Sequence, residues 1–183
     1  MHTRTATAAL AAGLLLTAAP AAAHPVDRAA TGKAEPPACR ANQVRLAAST
    51  AEPEDGTYPN VLRIKVTNTS DERCAVDRIP TVTFGDLDGP ALPVPLGQSG
   101  PYALGAGKSG YAAVRTIEDP SDANTRLVEY VTVAGAPAHP GARFTADDLD
   151  LSGGRIWVWE PVTTWWQPSQ AEADEVLANR YQA

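Results

Sequence analysis

The sequence predicts a mostly β fold, an antiparallel β-sandwich followed by one short C-terminal helix. Three observations predict it. Short runs with an apolar period of two recur between clusters of Gly, Pro, Asn and Asp. Two cysteines, Cys39 and Cys74, stand in a chain whose first residues read as an export signal. Ser169 precedes Glu172 by three residues and opens the one helical pattern.

The order of elements begins with the leader. Met1-His-Thr-Arg4 carries one cation, Ala8–Ala19 is almost all Ala and Leu, and Ala21-Ala22-Ala23 offers small residues for cleavage. These are the parts of a secretory signal peptide over residues 1–23, which places the mature start at His24. The apolar run is too short to span a bilayer, and no transmembrane segment follows it. No cysteine stands at the cleavage point, so no lipid anchor is expected there. Residues 24–38, with their His-Pro, Gly-Lys and Glu-Pro-Pro pieces, read as a flexible linker.

The sandwich is expected over residues 39–168. Gln43–Ser49 alternates loosely as a first strand, and Pro53, Gly56 and Pro59 mark a loop. Leu62, Ile64 and Val66 alternate with Arg63, Lys65 and Thr67, as in a strand with one wet face. Asn68-Thr-Ser-Asp71 is a turn, because an asparagine side chain bonds its own backbone two residues on. That turn explains the Asn-Thr-Ser sequon without a sugar. Thr81–Phe84 continues the alternation. Leu92-Pro-Val-Pro-Leu96 is restricted to an edge, since proline cannot donate to a ladder. Tyr111–Ile117, Leu127–Val133 and Arg155–Trp159 are further strands, the last running on toward Trp166. Residues 169–183 form the helix or tail, with Ala173, Val176, Leu177 and Tyr181 on one face.

Charge and cysteine count limit the function classes. The 183-residue chain has a formal charge of −6, and removing residues 1–23 removes Arg4 and takes it to −7. An acidic protein repels nucleic acid and anionic lipid, so neither is expected as a partner. In an oxidising compartment the only two cysteines pair, tying an N-terminal strand to a turn between strands. No cofactor and no metal is expected: the mature histidines, His24 and His139, fall in tail or loop.

Apparent catalytic motifs fail one by one. Gly105-Ala-Gly-Lys-Ser109 ends like a phosphate loop, but Tyr102 stands where its first glycine belongs. Gly97-Gln-Ser-Gly100 and Gly107-Lys-Ser-Gly110 lack the second glycine of a nucleophile elbow. Asp148-Leu-Asp150-Leu-Ser152-Gly153 matches only half a calcium loop, because Trp159 occupies the twelfth position. The acidic residues are spread singly over loops, so no carboxylate pair is nominated.

A cysteine after a short leader, a strand, Thr67-Asn68-Thr69-Ser70 and a second cysteine form a recognisable series. Ile79-Pro80 and Leu104-Gly-Ala-Gly107 leading into Tyr111-Ala-Ala-Val114 continue it. In these features the chain resembles the actinobacterial secreted proteins of domain-of-unknown-function family 4232, over residues 39–166. The resemblance implies an exported, disulfide-tied, immunoglobulin-like sandwich and no activity. Members often carry a second cysteine pair and many are lipoproteins; this chain departs from both patterns.

The candidate ligand face is aromatic. Trp157 and Trp159 share one face of a strand, opposite Ile156 and Val158, and Trp165 joins them if the strand continues in register. Exposed, they would stack on a sugar ring or an apolar partner; covered, they would lie under the C-terminal helix. The expected function is a secreted, non-enzymatic binding or scaffolding module with a protein or carbohydrate ligand. The alternative is a secreted hydrolase or enzyme inhibitor with a site built from scattered loop residues.

Overall fold

The computed structural model describes residues 35–51, 59–97 and 100–179, all within one compact unit, Glu35–Ala183. The expected signal peptide, most of the expected linker, the loop residues Pro53 and Gly56, and Tyr181 lie outside the described residues.

The fold is mostly β with a short C-terminal helix. Its centre is β2 (Val61–Asn68), where Leu62, Ile64 and Val66 are fully buried while Arg63 and Lys65 reach solvent. β1 (Val44–Thr50) pairs antiparallel on one side, setting Ala48 opposite Ile64. β7 (Ser109–Arg115) pairs on the other, setting Ala112 opposite Ile64 and Val114 opposite Leu62. β12 (Val162–Thr164) and β5 (Leu92–Val94) complete this five-stranded sheet in the order β1-β2-β7-β12-β5. Pro93 thus stands on the edge strand, where its missing N–H costs no ladder bond.

A second sheet has the order β10-β9-β4, from Ala142–Thr145, Tyr130–Ala134 and Thr81–Phe84. Two further pairs are β11 (Ile156–Val158) with β8 (Arg126–Val128), and β3 (Cys74–Asp77) with β6 (Pro101–Leu104). Main-chain hydrogen bonding therefore divides the strands among the described residues into four separate sheets. One buried cluster joins them: Leu62, Ile64, Val66 and Val114 meet Val82, Phe84, Val131 and Val133, with Val128, Ile156 and Val158 at one end. Each fully buried side chain of this size contributes about 1.5–3 kcal/mol.

The Cys39–Cys74 disulfide belongs to this cluster, with both cysteines buried. It joins the segment ahead of β1 to the first residue of β3, not a strand to a turn. Main-chain bonds from Cys39 to Ala75 and from Ala75 to Pro37 run the two segments side by side. Asn68 makes the expected turn: its Oδ1 accepts from the Ser70 N–H at 3.0 Å.

The helix α1 (Gln170–Ala178) starts where Ser169 Oγ accepts from the Glu172 N–H at 3.2 Å. Ala173 and Leu177 pack on Ala113 and Val162, the outer face of β7 and β12. Both faces of β7 are thereby covered, which is why Ala112, Ala113 and Val114 are all buried. The helix covers this face of the five-stranded sheet, not the Trp157 face of β11.

Two expected strands break, each for a local reason. In a single strand over Leu127–Val133, Glu129 would share a face with Val131 and Val133. Instead Val128 and Val131 are both buried, and the odd spacing between them divides the run into β8 and β9. Glu129 is left outside, 2.9 Å from Arg155. The second break follows β11. Glu160 has a left-handed φ of 46° and Pro161 lacks an N–H, so the chain turns into β12 in another sheet. Tyr111–Ile117 is shifted two residues earlier as β7, and β3, β6 and β10 are strands that the sequence pattern did not mark.

Candidate functional site: an acid-rimmed cleft at Trp159

Ile156 and Val158 are buried in the core, and Trp157 and Trp159 are half-buried on the other side of the chain. Trp157 lies opposite Leu127, which is 56% exposed. Trp159 follows β11, held where its N–H donates to the Thr116 carbonyl at 3.0 Å. Trp165 is elsewhere because the chain turned at Glu160. The Arg78 guanidinium stacks on its ring at 5.1 Å, and a Cβ at Gly97 would fall 2.6 Å from its Cζ2. The three tryptophans therefore do not form one row. Trp166, which pattern reading left at the end of a strand, is a core residue at 1% exposure.

Trp159 lines a cleft of about 490 Å³. Pro90, Leu92, Pro161 and Val162 supply its other apolar walls, and Leu92 is 62% exposed. Glu118, Asp119, Asp122 and Glu160 line the same cleft. Three of these acids, Glu118, Asp119 and Asp122, fall in the one loop after β7, and the turn before β12 adds Glu160. The sequence pattern did not mark this cleft. Its signal in the sequence was the pair Trp159-Glu160 and the Asp-x-Ser and Asp-x-Asn spacings of the preceding loop.

Those spacings build the loop. Asp119 Oδ1 accepts from the Ser121 N–H and hydroxyl at 2.8 and 2.7 Å. Asp122 Oδ1 accepts from the Asn124 N–H at 2.8 Å and from its amide at 3.0 Å. Such turns are what short acidic side chains do beside their own backbone. The Ser121 hydroxyl, then its N–H, hold the Asp119 carboxyl below its ordinary range, so it stays ionised. Glu118 faces Arg115 at 3.5 Å. Among the described residues no salt bridge engages Asp119, Asp122 or Glu160.

The other sequence candidates lie apart. Gly105, Ala106, Gly107 and Lys108 connect β6 to β7, which Ser109 opens, so the segment joins two strands, not a strand and a helix. Asp148 Oδ2 accepts from the Thr145 N–H and hydroxyl at 2.8 and 2.7 Å, while Leu149 and Leu151 are buried. No group of three or more His, Cys, Asp or Glu that could hold a metal occurs among the described residues. His139 borders a small recess of about 100 Å³ beside Leu46 and Ala142. No described helix is long and apolar enough to cross a membrane.

The family described as Domain of unknown function (DUF4232) matches residues 39–166, from the first cysteine to the buried Trp166. No curated protein and no solved structure matches the chain.

Proposed function

We propose, of a chain that belongs to the DUF4232 family, that it is an exported, non-enzymatic binding or scaffolding module of the cell envelope or extracellular space. The Trp159 cleft carries this reading. It combines an aromatic wall, exposed apolar surface at Leu92 and an acidic rim, the composition of a recognition site. The Cys39–Cys74 bond supports export, since structural disulfides persist in oxidising compartments. The five- and three-stranded sheets, which share one core, serve as the two leaves of an immunoglobulin-like sandwich.

The carboxylates beside Trp159 favour one second reading, a secreted glycoside hydrolase. That chemistry needs a carboxylic acid held protonated near neutral pH. Asp119 is pushed the opposite way, by hydrogen bonds to its charged form, so it does not suit the part of that acid.

The test is a set of immobilised wall glycans and peptides probed with the mature chain and with Trp159→Ala. Retention by the native chain, lost in a Trp159→Ala variant of unchanged melting temperature, is the expected result. Equal retention by both would remove the cleft from the function. Turnover of a glycan, abolished by Glu160→Gln, would replace binding by hydrolysis.

A further inference from the structure

We infer that the Trp159 cleft takes the cationic side chain of a basic peptide segment, a lysine or arginine laid along the indole with its charge among Asp119, Asp122 and Glu160. This rests on the binding role proposed above and names its partner's chemistry.

The argument starts from charge. Near the cleft Arg115 faces Glu118 at 3.5 Å, while Asp119, Asp122 and Glu160 take part in no salt bridge among the described residues. These three acids line one concavity, and a cation from outside gains from their negative charge. The chain's negative charge draws such a cation in and turns nucleic acid and anionic lipid away.

The apolar half of the cleft then selects among cations. A bare metal ion gains nothing from Trp159, Leu92 and Pro161, and it demands converging oxygens. The Asp119 and Asp122 carboxylates each already accept two local hydrogen bonds. A lysine or arginine stem matches apolar walls along its methylenes and carries its charge to the rim. Its head group over an indole face is attracted by the ring quadrupole. A neutral sugar would stack on Trp159 equally well but would leave the carboxylates uncompensated. The volume of about 490 Å³ accommodates one such side chain with its flanking backbone.

The experiment follows the Trp159 indole N–H resonance of the mature chain, assigned through Trp159→Phe. The probes are a capped Lys-Gly peptide, its Gln-Gly counterpart, a neutral chitooligosaccharide and calcium chloride. The Lys peptide should move the resonance and bind at least about fivefold more weakly when salt rises from ~50 to ~300 mM. Asp119→Asn/Asp122→Asn should weaken it at least about tenfold with the melting temperature unchanged, because asparagine keeps the turn acceptors. Glu160→Asn is a second variant, since asparagine tolerates the left-handed backbone. An unmoved resonance with the Lys peptide, or equal binding of the Gln peptide, would overturn the inference. A response to the saccharide alone would overturn it while leaving a binding role; a response to calcium alone would assign the rim to metal. Should the Lys peptide fail, the immobilised-ligand comparison with Trp159→Ala still decides the binding role separately.

Discussion

Asn68 Nδ2 donates to the Leu104 carbonyl at 3.2 Å, tying the end of β2 to the end of β6. The same amide also donates to the carbonyls of Glu72 and Gly105, and Asn68 Oδ1 accepts from the Ser70 N–H and hydroxyl. One fully buried side chain thus satisfies the turn toward Cys74 and the β6–β7 connection together. Its committed amide also explains why the sequon reads as structure.

Asn68→Ala should therefore cost about 3 kcal/mol, since buried carbonyls lose their partners. Asn68→Asp is the sharper variant. It keeps the acceptor for Ser70 but turns a carboxylate toward three carbonyl oxygens, so it should be worse than alanine at neutral pH. Urea unfolding measures both. An aspartate variant as stable as the native chain would confine Asn68 to the turn alone.

The disulfide makes a second prediction. Cys39 and Cys74 are separated by 35 residues, and opening a loop of that length costs about 4 kcal/mol in the chain-entropy model. Thiol titration of the unfolded, unreduced mature chain should find none. Cys39→Ala/Cys74→Ala should lower the urea midpoint and steepen the denaturant dependence, because the unlinked unfolded chain exposes more surface. Two free thiols would show that the pair is not bonded.

What the sequence made legible was what its local periods encode. Leu62, Ile64 and Val66 announced a half-wet strand because side chains alternate along an extended backbone. Asn68 and Ser169 announced a turn and a helix start because each bonds its own neighbourhood. Glu129 carries a charge in phase with the buried Val131 and Val133, which disfavours one continuous strand. Trp165 would share a face with Trp157 only if the strand crossed Pro161, and the chain turns at Glu160 instead. The cleft was illegible for a different reason. Leu92, Asp119 and Trp159 meet through sheet order, which no local pattern carries.

The half-match to a calcium loop yields a third prediction. The Asp148 carboxyl is held below its ordinary range by the Thr145 hydroxyl and N–H. A depressed carboxylate adds stability above its unfolded value and loses it as pH falls through the folded one. Asp148→Asn should therefore lower the melting temperature slightly at neutral pH and make no difference well below the folded value. Millimolar calcium should shift neither protein. A calcium-dependent rise of several degrees, abolished by Asp150→Ala, would show that these acids hold a metal.

The helix and the tryptophan strand can be separated by truncation. Ala173 and Leu177 are buried against Ala113 and Val162, whereas Trp157 is half-buried beside the exposed Leu127. Removing residues 169–183 should uncover the outer face of β7 and β12, lower the melting temperature and raise binding of an apolar-surface dye. Leu177→Ala alone should cost about 2 kcal/mol, the low end for a buried leucine, because its cluster is small and near the surface. Trp157→Ala should cost less than Leu177→Ala, since Trp157 lies outside both buried clusters. A truncation as stable as the full chain, together with a collapsed Trp157→Ala variant, would reverse the two roles. It would mean that β11 is displaced by one residue, because a one-residue slip exchanges the faces of a strand.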